Sequence, residues 1–393
     1  MIKTSEEYLQ ALIDQKSELA KYLFDAKIEA DSTEVFNSLV EKVGTLLKTP
    51  RIEVEYSGEN IVKARLFYQK YISNYLFYKQ PLTSVALYHS NIKRIDDYAF
   101  ANTRLSNFAI PDTVESIGNY AFYQCPLSSL IIPEKVTTIG SNAFYGTSIK
   151  ELNIPSNVTS IGSRAFYECG SLKKVTLPDT PVVLGGDAFA WTGITSFTFP
   201  EWLTEIPSQL FYCCKSLNIS SLPNTIVSIG SGAFHATACT FTVIPESVTN
   251  IGNNAFIGIK STSLTIPNSV TSIGNSVIGS ANISTLLIYC NLPDGVITNS
   301  LNKNTQLKYV EIGGNIKPRA FSGCSGLLKV WIRETCTIIE TNTTSTYKPF
   351  YGNTSLVIYV EADSKPDGWA DDFNKISTSA YASVVYGVKQ SPF

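Results

Sequence analysis

Histidine and methionine are nearly missing from this chain of 393 residues, which holds two of the first and one of the second. The two histidines, His89 and His235, lie far apart in sequence. A zinc site needs clustered ligands and a Ser-His-Asp system needs a base beside its nucleophile, so neither chemistry is supported. Charge is also scarce: charged residues make up 16% and the net charge is −2. That leaves no basic field to draw in nucleic acid or an acidic membrane. No run approaches the ~20 apolar residues of a membrane span. The opening "MIKTSEEYLQALIDQKSELA" has no continuous apolar stretch of the kind a secretory signal carries. Gly185-Gly186 and Gly313-Gly314 are turn pairs outside any phosphate-loop context, and no cofactor is expected. Glu151 and Glu311, both expected at the surface, are too far apart for a glycosidase pair. The expectation is a protein that is not an enzyme.

What the chain has is a repeat. Apolar-Pro pairs end at Pro111, Pro133, Pro155, Pro178, Pro200, Pro223, Pro245 and Pro267, a spacing of 22 or 23 residues. Phe100, Phe122, Phe144, Phe166, Phe189, Phe211, Phe234 and Phe256 keep step with them. So does an Ile-Gly pair beginning at Ile117, Ile139, Ile161, Ile229, Ile251 and Ile273. Ordering one such unit costs roughly 1–2 kcal/mol of backbone entropy per residue. Its handful of apolar side chains return only about 1.5–3 kcal/mol each. A lone unit therefore cannot fold, but stacked units share a continuous core.

Within a unit, "LKKVTLP" sets Leu172, Val175 and Leu177 in an L-x-x-L-x-L pattern, and Pro178 ends the strand by removing a ladder donor. "VTSIG" reads as a second short strand turning at Gly162, and residues 163–170 as a helical turn that inserts Phe166. The recurring apolar-Pro, V-T-x-I-G-x-x-A-F and C-x-S-L pattern resembles the BspA-like (Treponema pallidum-type) leucine-rich repeat family. It is clearest over residues 98–275 and degenerate repeats begin near residue 61. The fold class expected is an α/β repeat protein. It would be a right-handed leucine-rich-repeat solenoid of 22–23-residue units with a parallel strand face, spanning residues 51–360.

The ends read differently. Leu9, Leu12, Ile13, Leu19 and Leu23 fall at helical spacing. A capping box at Asp31–Glu34 precedes a second apolar face, so residues 1–50 are expected to form a helical hairpin. Part of this stretch also resembles short helical segments of phage and prophage structural proteins from Firmicutes. Residues 361–393 resemble the helical C-terminal cap common in BspA-like chains, with Trp369 sealing the last coil.

Eight cysteines invite a disulfide or metal reading. Cys125, Cys169, Cys214 and Cys324, however, each stand three residues after the repeat phenylalanine, and no C-x-x-C occurs. They read as an interior packing column, and no metal is expected. Eight free thiols suit an anaerobe or an intracellular location better than an oxidising exterior.

Binding residues are sought at the outward positions of each L-x-x-L-x-L, among them Asn107, Ile131, Glu151, Asn153, Lys174 and Thr176. Most are small and polar. Tyr309, Glu311, Lys329 and Trp331 differ, pairing aromatic and charged residues on adjacent strands, and are the candidate ligand patch. The alternative is that the C-terminal cap covers Trp331. Phe241 and Val243 also fall outward, but Thr242 occupies the inward slot there. Tyr123, Tyr145, Tyr167 and Tyr212, with Trp191 nearby, form a candidate flanking ladder, read as structural before carbohydrate-binding.

The resemblance implies a non-enzymatic, monomeric adhesin-like scaffold, on the cell surface or secreted. It would bind a protein or glycan on host or neighbouring cells. The alternatives are an intracellular protein or a structural or attachment part of a phage particle.

Overall fold

The computed structural model describes residues 50–291, 306–316, 320–321, 324–336, 348–377 and 379–390. The helical hairpin expected over residues 1–50, and with it the phage-like segment, falls at 1–49 outside the described residues. The chain forms two compact units, Met1–Ile149 and Lys150–Phe393.

The first unit opens with an antiparallel hairpin that the repeat pattern did not announce. Strand Arg51–Ser57 pairs with Asn60–Phe67 around Gly58, whose φ of +62° favours glycine. Asn60–Phe67 then pairs in parallel with Ser84–Tyr88, so the parallel stack does begin near residue 61. On a second side of the coils run two-residue strands, Tyr71–Ile72, Arg94–Ile95, Ser116–Ile117 and Thr138–Ile139, in parallel register. Each points its isoleucine into the core and its first residue outward.

The second unit repeats both devices. Glu151–Asn153 pairs with Lys174–Thr176, and Ser160–Ile161 with Val183–Leu184. Glu205–Ile206, Ser228–Ile229, Asn250–Ile251 and Ser272–Ile273 form a further short ladder. Ser263–Ile266, Thr285–Ile288, Tyr309–Ile312, Lys329–Ile332, Val357–Val360 and Ser383–Val385 build a six-stranded parallel sheet.

No described residue is helical, which corrects two expectations. The first is the helical turn at 163–170. Arg164 and Glu168 hold left-handed backbone at φ 57° and 58°, which a helix cannot contain. The N–H groups of Arg164, Phe166 and Glu168 reach forward to the carbonyls of Gly186, Ala188 and Ala190, each at 3.0 Å. In the first unit Tyr98, Phe100 and Asn102 donate to Asn119, Ala121 and Tyr123 in the same way. Alternate residues thus donate to the next coil, while those between them, such as Ala165 and Tyr167, donate to Gly162 and Arg164 of their own coil, and the described solenoid is all-β where an α/β class was expected.

The second correction is the C-terminal cap. Residues 361–377 and 379–390 form turns, a bridge between Lys375 and Tyr381, and the strand Ser383–Val385. Pro366 and Gly368 break the helical pattern, and the valines of "SVV" gain ladder bonds along Val357–Val360. Trp369 is nevertheless buried, donating its indole N–H to the carbonyl of Cys336 at 2.9 Å and meeting Phe373 edge-on.

The repeat phenylalanines form the spine of each core. Phe77, Phe100, Phe122 and Phe144 stack at 5.1–5.6 Å in the first unit. In the second, Phe166 stacks on Phe189, and Phe211 on Phe234 and then Phe256. All are fully buried. Beside them the cysteine position proves to be an alternating column: Thr103, Cys125 and Thr147 in the first unit, Cys169, Thr192, Cys214 and Thr237 in the second. The Cys125 thiol lies 2.9 Å from the Phe100 carbonyl and 3.2 Å from Thr103 Oγ1. Cys214 repeats the arrangement with Phe189 and Thr192 at 3.0 and 3.2 Å.

Candidate binding surface

Alternation along each strand decides which side chains meet solvent. In the second unit Leu152 and Val175 turn inward while Glu151, Asn153, Lys174 and Thr176 are exposed. Parallel register sets Glu151 against Lys174 and Asn153 against Thr176. Two adjacent strands therefore present four polar side chains together, the arrangement expected from the pattern. In the first unit Asn107, Ala109, Ser129 and Ile131 are likewise exposed, Ile131 to 83%.

Further along, the same positions are covered. The register brings Tyr309 beside Lys329 and Glu311 beside Trp331, so the four candidate residues do form one cluster. Tyr309 and Lys329 are half-buried, but Glu311 and Trp331 are buried, at 6% and 4% exposure. The Trp331 indole donates to the carbonyl of Val388, at 3.1 Å, so the C-terminal segment lies over it. Glu311, expected at the surface with Glu151, accepts a 2.8 Å hydrogen bond from Tyr289 and pairs with Arg333 at 3.2 Å. Arg333 also lies over the rings of Tyr289 and Trp331. Burial and the neighbouring Glu311 push the Tyr289 phenol up to about 12. Tyr289 and Arg333 were not singled out in the sequence. Their register, one coil before Glu311 and two residues after Trp331, was the available signal.

Phe241 is fully buried and packs edge-on against Phe234 and Phe256, while Thr242 and Val243 are exposed. A short local departure from alternation turns the larger apolar ring inward, where it gains the most from burial.

The flanking aromatic ladder is present in segments. Tyr123 lies 4.7 Å from Tyr145 in the first unit; in the second, Trp191 meets Tyr212, and Tyr212 stacks on His235 at 4.5 Å. Tyr167 faces Arg164. A further ladder, two residues before the phenylalanine, runs Tyr75–Tyr98–Tyr120 with centroids 4.7 and 4.5 Å apart. These rings cover one another's faces, which leaves edges and hydroxyls outward.

Burial holds several of the thiols in their protonated form. Burial raises Cys125, Cys214 and Cys290 to about 11 and Cys324 further. Cys213 alone is only half-buried, and no disulfide joins any of the eight cysteines. Among the described residues no group of three His, Cys, Asp or Glu side chains is placed to hold a metal. No described helix is long and apolar enough to cross a membrane.

Over residues 70–349, in overlapping stretches 70–192, 137–261, 182–295 and 229–349, the chain matches the BspA type Leucine rich repeat region. The chain belongs to the BspA-type leucine-rich-repeat family. Among solved structures it is similar to a leucine-rich repeat protein from Bacteroides ovatus. The two share 24% identity over 86% of this chain and 92% of that one, with a TM-score of 0.67, which shows the fold. It is also similar to a leucine rich cell surface protein from Faecalibacterium prausnitzii, at 22% identity over 88% of this chain and 99% of that one, TM-score 0.40. The pneumococcal vaccine antigen PcpA matches at 18% identity over 76% of this chain and 85% of that one, TM-score 0.46. No curated protein matches. The BspA-type assignment fits the geometry: a constant buried template of Phe, Ile and Thr/Cys columns carrying a variable exposed strand face.

Proposed function

We propose that this chain is a non-enzymatic binding scaffold of a bacterial cell surface or secretion, holding a protein partner on its strand face. The observation that carries the reading is the exposed cluster of Glu151, Asn153, Lys174 and Thr176 on two adjacent strands, above a template that buries everything else in those strands. A strand face of this kind holds side chains at fixed spacing on rigid backbone, so little entropy is lost when a partner docks. Family membership supports the scaffold class. Tyr309 and Lys329 form a second, half-exposed arm of the surface. Glu311 and Trp331 adjoin it on the same strands, covered by Tyr289, Arg333 and the C-terminal segment.

The test is binding of the purified chain to immobilised extracellular-matrix proteins and to whole bacterial cells, beside detection of the chain on intact cells and in the medium. Saturable binding, with the chain found outside the cell, supports the proposal. Absence of binding across both panels, with the chain confined to the cytoplasm, overturns it.

A further inference from the structure

A groove of about 390 Å³ opens on the first unit, on the side of the two-residue strands and away from the L-x-x-L-x-L positions. Gly118 and Gly140 are part of its lining. A Cβ at Gly140 would stand 2.5 Å from the Gly118 carbonyl carbon, so the coils touch there. The walls carry Asn74, Arg94, Asp96, Asn119, Ser116 and Thr138.

Two of these residues depart from the repeat. Asp96 stands where later coils have Gly118, Gly140 and Gly162, and Arg94 where they have Ser116, Thr138 and Ser160. The template's smaller residues fill these positions elsewhere, and here the Arg94 guanidinium also lies over the Tyr71 ring, 5.3 Å from its centroid. Arg94 Nε pairs with Asp96 Oδ1 at 3.1 Å, which fixes both heads at the groove and cancels their charges. Asp97 supplies the one remaining charge of the lining, a negative one, and it is occupied: its Oδ1 accepts from the Asn119 N–H at 2.6 Å. Asn74 and Asn119 hold their side-chain carbonyls on the N–H groups of Asp97 and Ser141, which orients both amides. The second Asp96 oxygen and the Ser116 and Thr138 hydroxyls have no hydrogen-bond partner among the described residues.

The lining is thus rich in fixed donors and acceptors, nearly neutral, and poor in apolar surface. Phosphate and acidic sugars meet a net negative wall, and an apolar ligand finds little to bury against. A neutral polyhydroxyl ring matches it: adjacent hydroxyls donate to Asp96 and accept from Arg94, Ser116 and Thr138. The volume lies within the range of small-ligand sites. We infer that this groove is a binding site for a neutral saccharide, one hexose-sized unit engaging Arg94 and Asp96 together. It lies apart from the strand face and does not depend on it.

The test is ligand-observed saturation-transfer NMR on the full chain with neutral hexoses and N-acetylhexosamines at millimolar concentration, with sialic and uronic acids as the acidic arm. The double variant Arg94→Ser/Asp96→Gly restores the repeat template, and Ser116→Val places in the groove wall the residue that Val183 supplies in the same column. Both are checked for an unchanged melting temperature. The expected result is transfer to at least one neutral sugar, with affinity about tenfold or more weaker in each variant, since hydrogen bonds to charged groups are lost or blocked. No transfer to any neutral sugar, a preference for the acidic arm, or binding unchanged in both variants would overturn the inference. Lys174→Glu/Thr176→Lys, which alters the strand face alone, is expected to leave sugar binding intact, so a failure of the strand-face reading is read separately.

Discussion

Trp331 donates its indole N–H to the carbonyl of Val388, fifty-seven residues downstream, at 3.1 Å. The bond ties the C-terminal segment over one of the four residues whose pattern had marked a ligand patch. Deleting Gly387–Phe393 is expected to expose Trp331. The readout is a red-shifted emission and stronger acrylamide quenching, both lost in the Trp331→Phe background. Unchanged quenching would place the segment elsewhere.

The alternating Thr and Cys column carries stability, not reactivity. With native chain, a thiol reagent is expected to label half-buried Cys213 first, slowly because burial raises its pKa, and the remaining seven cysteines only on unfolding, since burial holds Cys125, Cys214 and Cys290 near 11. Mass mapping of the labelled peptides checks this. Thr192→Val removes one of the two partners of the Cys214 thiol, leaving the Phe189 carbonyl, and is expected to cost about 1 kcal/mol in chemical denaturation.

The phenylalanine spine is the costliest element to break. Phe122 is fully buried between Phe100 and Phe144, and Phe122→Ala is expected to destabilise the fold by about 3–5 kcal/mol in chemical denaturation. Phe122→Leu, which keeps more of the volume, loses less.

Acid weakens the second unit at one identifiable place. His235 stacks on Tyr212, its Nδ1 is buried without a partner, and burial lowers its pKa from the ordinary 6.5. As pH falls the unfolded chain binds this proton first, so stability present above about 6.5 is lost as pH drops through the folded-state value. His235→Tyr, which restores the aromatic found at Tyr212, is expected to flatten the decline in melting temperature between neutral and acidic buffer. An equally steep decline in the variant would assign it to other groups.

Much of this architecture was legible because it is periodic. The phenylalanine, isoleucine and proline series located each core position, and the spacing of Cys125, Cys169 and Cys214 marked them as packing before any contact was known. Three features were not legible, each for a physical reason. The left-handed backbone at Arg164 and Glu168 leaves no signature in residue type, so residues 163–170 read as a helical turn. That the C-terminal segment covers Trp331 was the alternative reading of the pattern, but its partner there, Val388, lies fifty-seven positions away, beyond the reach of any local pattern. The Arg94–Asp96 groove appears as a departure from the repeat, and departures stand out only once the template's glycines are seen to lie against one another.

The most direct test of the account is a titration of Lys174→Glu/Thr176→Lys against the matrix protein or cell type that binds wild-type chain most tightly. The account predicts at least about a tenfold loss of affinity with an unchanged melting temperature, because these side chains touch nothing that the fold requires. Affinity equal to wild type in this variant and in Tyr309→Ala/Lys329→Ala would contradict it, and would move the binding surface off the strand face.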